Sequence, residues 1–372
     1  MTAYATATPE TAPARGSVRA AGPRGVAAAL AIVAVLAGCG LRLETPAPTE
    51  PVPDADEIVR ETAVDDALAV STLVADVTPT VDDEKTLAVL AQADAFAVEH
   101  VAALGGVYDS GLPEPGSSAS SSTPRPAVTT TTPDPSGDTT QDGEGAGEPA
   151  PDDETGEEGG AEVDDEVTTD DVVTALVEAS QRTRASADAT SDGQLARLLV
   201  SVAASEHVSA RRLAAVTRSD AAKGLGTAAS VVDEAPAGVS AADLAALVAA
   251  EDAAGYAYEV RAAQTDGSSR EAAVVRAAEH RARAESWALA AGTDGTDQDP
   301  RRVAYVLPDD DLAVLAQGLE TDLATSYATL VATATQRSRA VPAALLTDAW
   351  SSAVSWGAEP VPFPGLPEQA GG

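Results

Sequence analysis

Leu, Val and Ala return along this chain at intervals of three and four residues, and little that is bulkier joins them: aromatic residues make up 3% of its 372 positions. That spacing lines one face of an α-helix. A core of small aliphatic side chains suits helices that approach closely better than sheets, which favour aromatic and β-branched pairs. The pattern predicts an all-α protein.

In residues 54–110, Val59, Asp66, Val70, Leu73 and Val77 share one helical face, and Leu87, Leu90, Asp94, Ala97, Val101 and Leu104 share another. Thr78-Pro79-Thr80 separates the two, and Gly105-Gly106 closes the second as a C-cap. The period returns in residues 168–217, first with Val173, Leu176 and Ser180, then after Asp192-Gly193 with Leu195, Leu199, Val202, Glu206 and Leu213. Two hairpins make one four-helix bundle. After a linker at 218–239, Ser240 caps a fifth helix with the seam Leu244, Leu247, Val248, Glu251, Gly255, Tyr258 and Ala262. An Ala-rich sixth helix follows from about Ser269, and a seventh carries Leu312, Leu315, Leu319, Leu323, Ser326 and Leu330. An eighth brings in Leu345, Ala349 and Trp356, so a second antiparallel four-helix bundle is expected over 240–366, with a tail at 367–372.

Between the hairpins of the first bundle, residues 111–167 change to Ser, Thr, Pro, Gly, Asp and Glu. Such a stretch cannot bury enough apolar surface to order itself and reads as a disordered acidic insert. Its length is tolerable, because the entropy cost of closing a loop grows only logarithmically.

The N-terminus has a different logic. Arg15, Arg19 and Arg24 precede an apolar run from Gly25 to Gly38, the composition of an export signal over residues 1–38. Leu36-Ala37-Gly38-Cys39 resembles the bacterial lipobox, which implies that Cys39 is lipidated and begins the mature chain, with a Pro-rich tether to residue 53. Localisation at the outer face of the cell membrane, through a lipid anchor, is the expectation. With 59 acids against 23 bases and a net charge of −36, nucleic acid is a poor partner. A single cysteine excludes an internal disulfide and a four-cysteine zinc site.

Leu247-Val248-Ala249-Ala250-Glu251, Tyr256 and Tyr258, Glu279-His280-Arg281-Ala282-Arg283, Leu319-Glu320 with Tyr327, and Pro360-Val361-Pro362-Phe363-Pro364-Gly365-Leu366 resemble the ferritin-like domain of unknown function 4439. The resemblance covers about residues 240–366. It implies a ferritin-like four-helix domain in an exported protein, and it brings no established activity. Asp252 stands where that family commonly has a histidine, so any role of that histidine is missing here.

A dimetal carboxylate site in such a bundle needs Glu-x-x-His on two helices, because residues three apart share a face. The three histidines instead follow a glutamate directly, as Glu99-His100, Glu206-His207 and Glu279-His280, and neighbours in a helix point about 100° apart. The three pairs read as an internally duplicated helical hairpin, with a shared ligand motif as the alternative. Asp66, Asp94 and Glu206 interrupt apolar seams on separate helices and are the weak candidates for a cation site, because buried carboxylates repel unless a cation or proton stands between them.

In the second bundle a buried Glu251–Arg281 bridge is expected, with Tyr258 hydrogen-bonding the carboxylate and Asp322 and Asp348 extending the network. Tyr256, Tyr258 and Trp287 are either core residues or the walls of a pocket for a small apolar ligand. No nucleophile elbow or phosphate loop is present. No catalytic residue and no cofactor is assigned. The expected role is binding or scaffolding of a protein or small molecule at the cell surface. The alternative is a metal-binding redox or storage bundle.

Overall fold

The computed structural model describes residues 52–108, 166–226 and 232–369. The signal segment, Cys39 and nearly all of the tether and acidic insert lie outside the described residues. Eight α-helices form the body: α1 Ala55–Val77, α2 Glu84–Ala103, α3 Thr169–Ala189, α4 Gly193–Thr217, α5 Ala241–Ala262, α6 Gly267–Ala290, α7 Leu312–Thr333 and α8 Ala340–Ser355. No strand occurs among the described residues. No helix there is long and apolar enough to cross a membrane.

Local chemistry sets the helix ends. Asp54, Asp83, Ser240 and Asp311 each accept a hydrogen bond from the backbone N–H three residues on, and Asp192 does so for Gln194 and Leu195. These contacts satisfy amides that a helix N-terminus leaves unpaired. α2 ends on Gly105 and Gly106, both with positive φ, where the Gly106 N–H reaches back to Val101 O at 2.8 Å. Helix α7 begins at Leu312 because Asp311 is the capping residue.

Short turns join α1 to α2, α3 to α4, α5 to α6 and α7 to α8, so each packed pair is an antiparallel hairpin. α1–α4 form the first bundle and α5–α8 the second. The linker separates the bundles along the chain but not in space. α4 packs on α2 and α3 of its own bundle and on α7 and α8 of the other. Every residue from Leu199 to Ala210 is buried. One hydrocarbon core runs from Val64 and Leu199 through Leu247 and Trp287 to Leu323, Leu330 and Leu346. Close approach is built in at the start of α4, where a Cβ on Gly193 would stand 2.2 Å from Ala332 O.

Two further devices join the bundles. Arg339 is 2% exposed; its Nε donates to Val331 O and Ala334 O, and its Nη1 to Ala187 O and Thr190 O, all within 3.0 Å. The cation therefore sits at the carbonyl-rich ends of α3 and α7, where helix dipoles favour positive charge. The C-terminal phrase is the second device. Ser201 Oγ donates to Pro364 O at 2.7 Å, and Phe363 packs edge-on against His100 with ring centroids 5.4 Å apart. Gly365, at φ 76°, lies against Ala324 O of α7, where a Cβ would come within 2.8 Å. The tail thus runs between α2 and α4 on one side and α7 on the other.

Candidate functional site

Aligned side chains at the centre of the second bundle build a closed ionic cluster. On α6, Arg276, His280, Arg283 and Trp287 follow one another at intervals of four, three and four residues, which keeps them on one inward stripe. α5 supplies Glu251 and Tyr258, α7 supplies Glu320 and Tyr327, and α8 supplies Asp348 and Ser352.

His280 is the hub. Its Nδ1 lies 2.6 Å from Glu251 Oε2 and its Nε2 3.2 Å from Glu320 Oε1, and all three residues are 0% exposed. Both partners are carboxylate acceptors, so the ring carries both protons. Burial alone would strip that charge, but Glu251 and then Glu320 outweigh it and raise the imidazole above its usual value. Tyr258 stacks on the ring with centroids 5.5 Å apart.

Arg276 forks onto Glu320, with Nε and Nη2 each 2.6 Å from a carboxylate oxygen. Its Nη1 reaches Asp348 at 2.6 Å and Glu279 at 2.9 Å. Burial opposes ionisation of Glu320, yet Arg276 and His280 hold its carboxyl well below the usual range. Asp348 is held low in the same way, against burial, by Arg276 and Arg283, the latter donating from Nη2 at 2.6 Å. The hydroxyls complete the set. Tyr258 donates to Glu320 at 2.7 Å, Ser352 to Glu320 at 2.8 Å, and Tyr327 to Glu251, while Trp287 Nε1 lies 3.4 Å from the Tyr327 oxygen. Burial first, and the adjacent carboxylates second, push both phenols upward. Glu251, Glu320 and Asp348 are thereby matched by His280, Arg276 and Arg283.

This arrangement corrects the sequence-based pairing. Arg281 does not meet Glu251: it bonds Asp252 and Glu259 at the surface of the bundle and is 32% exposed. Tyr258 bonds Glu320, not Glu251. Asp322 is exposed and takes no part, whereas Asp348 does. Glu320, Arg276, His280, Arg283, Tyr327 and Ser352 are members that the sequence-based network lacks. For Glu320 the signal is the seam itself, since Ala316, Glu320, Leu323 and Tyr327 continue one buried stripe of α7. The reading that used Leu319 lay one residue off it.

Asp252 has a separate task. It is 4% exposed and accepts from Arg281, from Tyr305 Oη at 2.7 Å and from Arg302 N at 3.0 Å. It therefore clamps the long α6–α7 connection onto α5. Tyr256 packs on Tyr305, while Tyr258 and Trp287 are buried in the core. The three aromatics do not line a common cavity.

In the first bundle the three acidic candidates part company. Asp66 pairs with Arg182 at 2.8 Å, and Asp94 is half-buried on α2. Glu206 is 3% exposed, and neither carboxyl oxygen has a hydrogen-bond partner among the described residues. Burial, then the charge of Asp66, pushes its pKa well above the ordinary range against the pull of Arg182 and of the neighbouring Thr183 hydroxyl, which favours the neutral acid. No group of three ligating side chains among the described residues gathers to hold a metal ion. The three Glu-His pairs each fall on the second helix of a hairpin, yet their histidines differ. His100 Nε2 lies 2.9 Å from Pro362 O, and burial lowers its pKa to about 4.

A dimetal centre, which a ferritin-like bundle brings to mind, does not fit the donor set of the second bundle. Its two innermost carboxylates are already held by an imidazolium, a guanidinium and two phenols, and a divalent cation there would stand beside three positive side chains. The class is an all-helical double bundle with an ion-paired centre in its C-terminal half. Residues 243–368, spanning α5 to the C-terminal phrase, match the family described as Domain of unknown function (DUF4439). No curated protein and no solved structure matches the chain.

Proposed function

We propose that this is an extracytoplasmic lipoprotein, held at the outer face of the cell membrane through Cys39, whose helical body binds or scaffolds a partner rather than performing metal-centred chemistry. The observation that carries the second half is the self-neutralised cluster: Glu251 and Glu320 bond to Arg276 and His280, so the carboxylates of the bundle centre are committed within the chain. The first half rests on the basic, apolar and Leu-Ala-Gly-Cys succession that ends at Cys39. Two lipid chains on one cysteine give stable membrane attachment without a spanning helix.

The test expresses the full chain in a bacterium that processes lipoproteins. The parent partitions with membranes and into detergent, and a Cys39→Ser variant does not. The protein released from membranes, without metal-affinity resin, carries no stoichiometric iron, manganese or zinc, and its melt is unchanged by EDTA. Stoichiometric metal with a chelator-sensitive melt would overturn the binding role in favour of a redox or storage bundle.

A further inference from the structure

Three side chains of the first bundle converge on a cavity of about 310 Å³ at the seam with α8. Arg184 comes from α3, and His207 and Arg211 come from α4; Thr347, Asp348 and Ser351 of α8 close the opposite wall. The seam exists because α4 packs against both bundles.

The two arginines are among nine in the described residues that pair with no carboxylate, and what sets them apart is the cavity they share. Arg60, Arg182, Arg197, Arg276, Arg281, Arg283 and Arg301 all pair with carboxylates. Among the described residues, no carboxylate lies within ion-pair distance of Arg184 or Arg211. His207 is 5% exposed and has no hydrogen-bond partner there either. Burial lowers its pKa to about 4, with Arg211 and Arg184 adding to the effect, which places both cations close to the ring. Asp348 is the one acid in the wall, and its charge is answered from behind by Arg276 and Arg283, both at 2.6 Å. The hydroxyls opposite donate to their own helix, Thr347 to Ala343 O at 3.1 Å and Ser351 to Thr347 O at 2.7 Å. The donors free to meet a ligand are therefore the two guanidiniums and the imidazole.

We propose that this seam cavity is a binding site for a small oxyanion, a phosphate or carboxylate group carried by a solute, with Arg184 and Arg211 as its charged clamps and His207 as the buried donor. Guanidinium groups present planar pairs of N–H donors that match both oxyanions. A site of this size holds a small metabolite rather than a polymer. The net charge of −36 repels an anion at long range, but at about 0.15 M salt that field decays over about 8 Å, leaving the local pair in control. The proposal does not depend on lipidation of Cys39, and its test leaves that reading untouched.

The full chain in detergent, at 0.15 M sodium chloride, is titrated calorimetrically with inorganic phosphate and separately with succinate. Saturable binding of at least one is expected, and the ratio of the two affinities says which oxyanion chemistry the site takes. Arg184→Gln with Arg211→Gln should weaken that binding at least tenfold, while Lys223→Gln, which removes one exposed cation that does not line the cavity, should leave it within twofold. An imidazole resonance that moves on titration and disappears in His207→Gln completes the positive result. Absence of saturable binding by the parent, retention of affinity in the double arginine variant, or an equal loss in Lys223→Gln would each overturn the proposal. Circular-dichroism melts of the variants separate lost binding from lost fold.

Discussion

In the second bundle Glu251, Glu320 and Asp348 each meet a cationic nitrogen at 2.6 Å, whereas in the first Glu206 is equally deep and has no partner. Both arrangements avoid an unpaired buried charge, by opposite means. In α5–α8 the acids stay ionised and are neutralised by side chains from neighbouring helices, so the charges fit together in only one arrangement of the four. In α1–α4 the raised pKa favours the protonated acid, which shares a small cavity with Val70, Phe96, Ala97 and Leu176 and with the polar His100 and Ser209. The ion-paired cluster therefore ties stability to its members, while a neutral acid without ionic partners is more easily replaced.

The largest expected effect follows from opening the cluster. Arg276→Met takes the guanidinium fork from Glu320, at 0% exposure, leaving it only His280 as a cationic partner, and weakens the hold on Asp348. Loss of one partner from a buried pair costs about 3 to 5 kcal/mol, read as a lower denaturant midpoint. A variant that unfolds like the parent would break the contrast between the bundles.

Glu206→Leu should go the other way. It replaces an unpartnered polar group by hydrocarbon of similar size and is expected to stabilise by about 1 to 3 kcal/mol at neutral pH. A large loss of stability would show that the carboxyl has a partner and that the first bundle is also held by polar contacts.

Arg281→Ala sharpens the comparison within one helix. This side chain is one-third exposed and pairs with exposed Glu259 and with buried Asp252, which keeps Tyr305 and Arg302 N as donors, so its loss should cost clearly less than that of Arg276. A cost near that of Arg276→Met would return Arg281 to the buried role that its sequence context suggested.

The smallest effect is in the pH profile. His280, facing Glu251, Glu320, Arg276 and Arg283, has a raised pKa in the fold, so the stability its charge contributes is complete below about pH 6.5 and is lost as pH rises through the raised value. Glu206 has the same sign from lower pH: its contribution is complete below about pH 4.5 and falls as pH climbs toward its raised pKa. His100 has the opposite sign. Its pKa falls to about 4, so the unfolded chain binds the proton first and stability drops as pH falls below about 6.5. Imidazole nitrogen shifts at pH 7 should show His280 with both nitrogens protonated and His100 neutral with the proton on Nε2, which donates to Pro362 O. A neutral His280 would dissolve the cluster as described.

Much of this was legible in the residues themselves. Eight helices, their order and most of their ends follow from short-range signals: the apolar period, the capping aspartates at 54, 83 and 192, Ser240, and the Gly105-Gly106 stop. These act within a turn of the chain that carries them, so no distant contact is needed to read them. The apolar succession ending at Cys39 is local in the same sense. What tertiary structure alone decided is which charges meet. Arg276 and Arg281 lie five positions apart on α6, which puts them about 140° apart around the helix at about 100° per residue. Only the rotation of α6 against α5, α7 and α8 decides which of them turns inward. Alanine flanks both, so the pattern of that helix does not mark its own inner face. The docking of the two bundles is of the same kind. From Leu199 to Ala210 α4 is buried all round because α7 and α8 arrive from beyond the linker, and the cavity between Arg184, Arg211 and α8 exists only once they do.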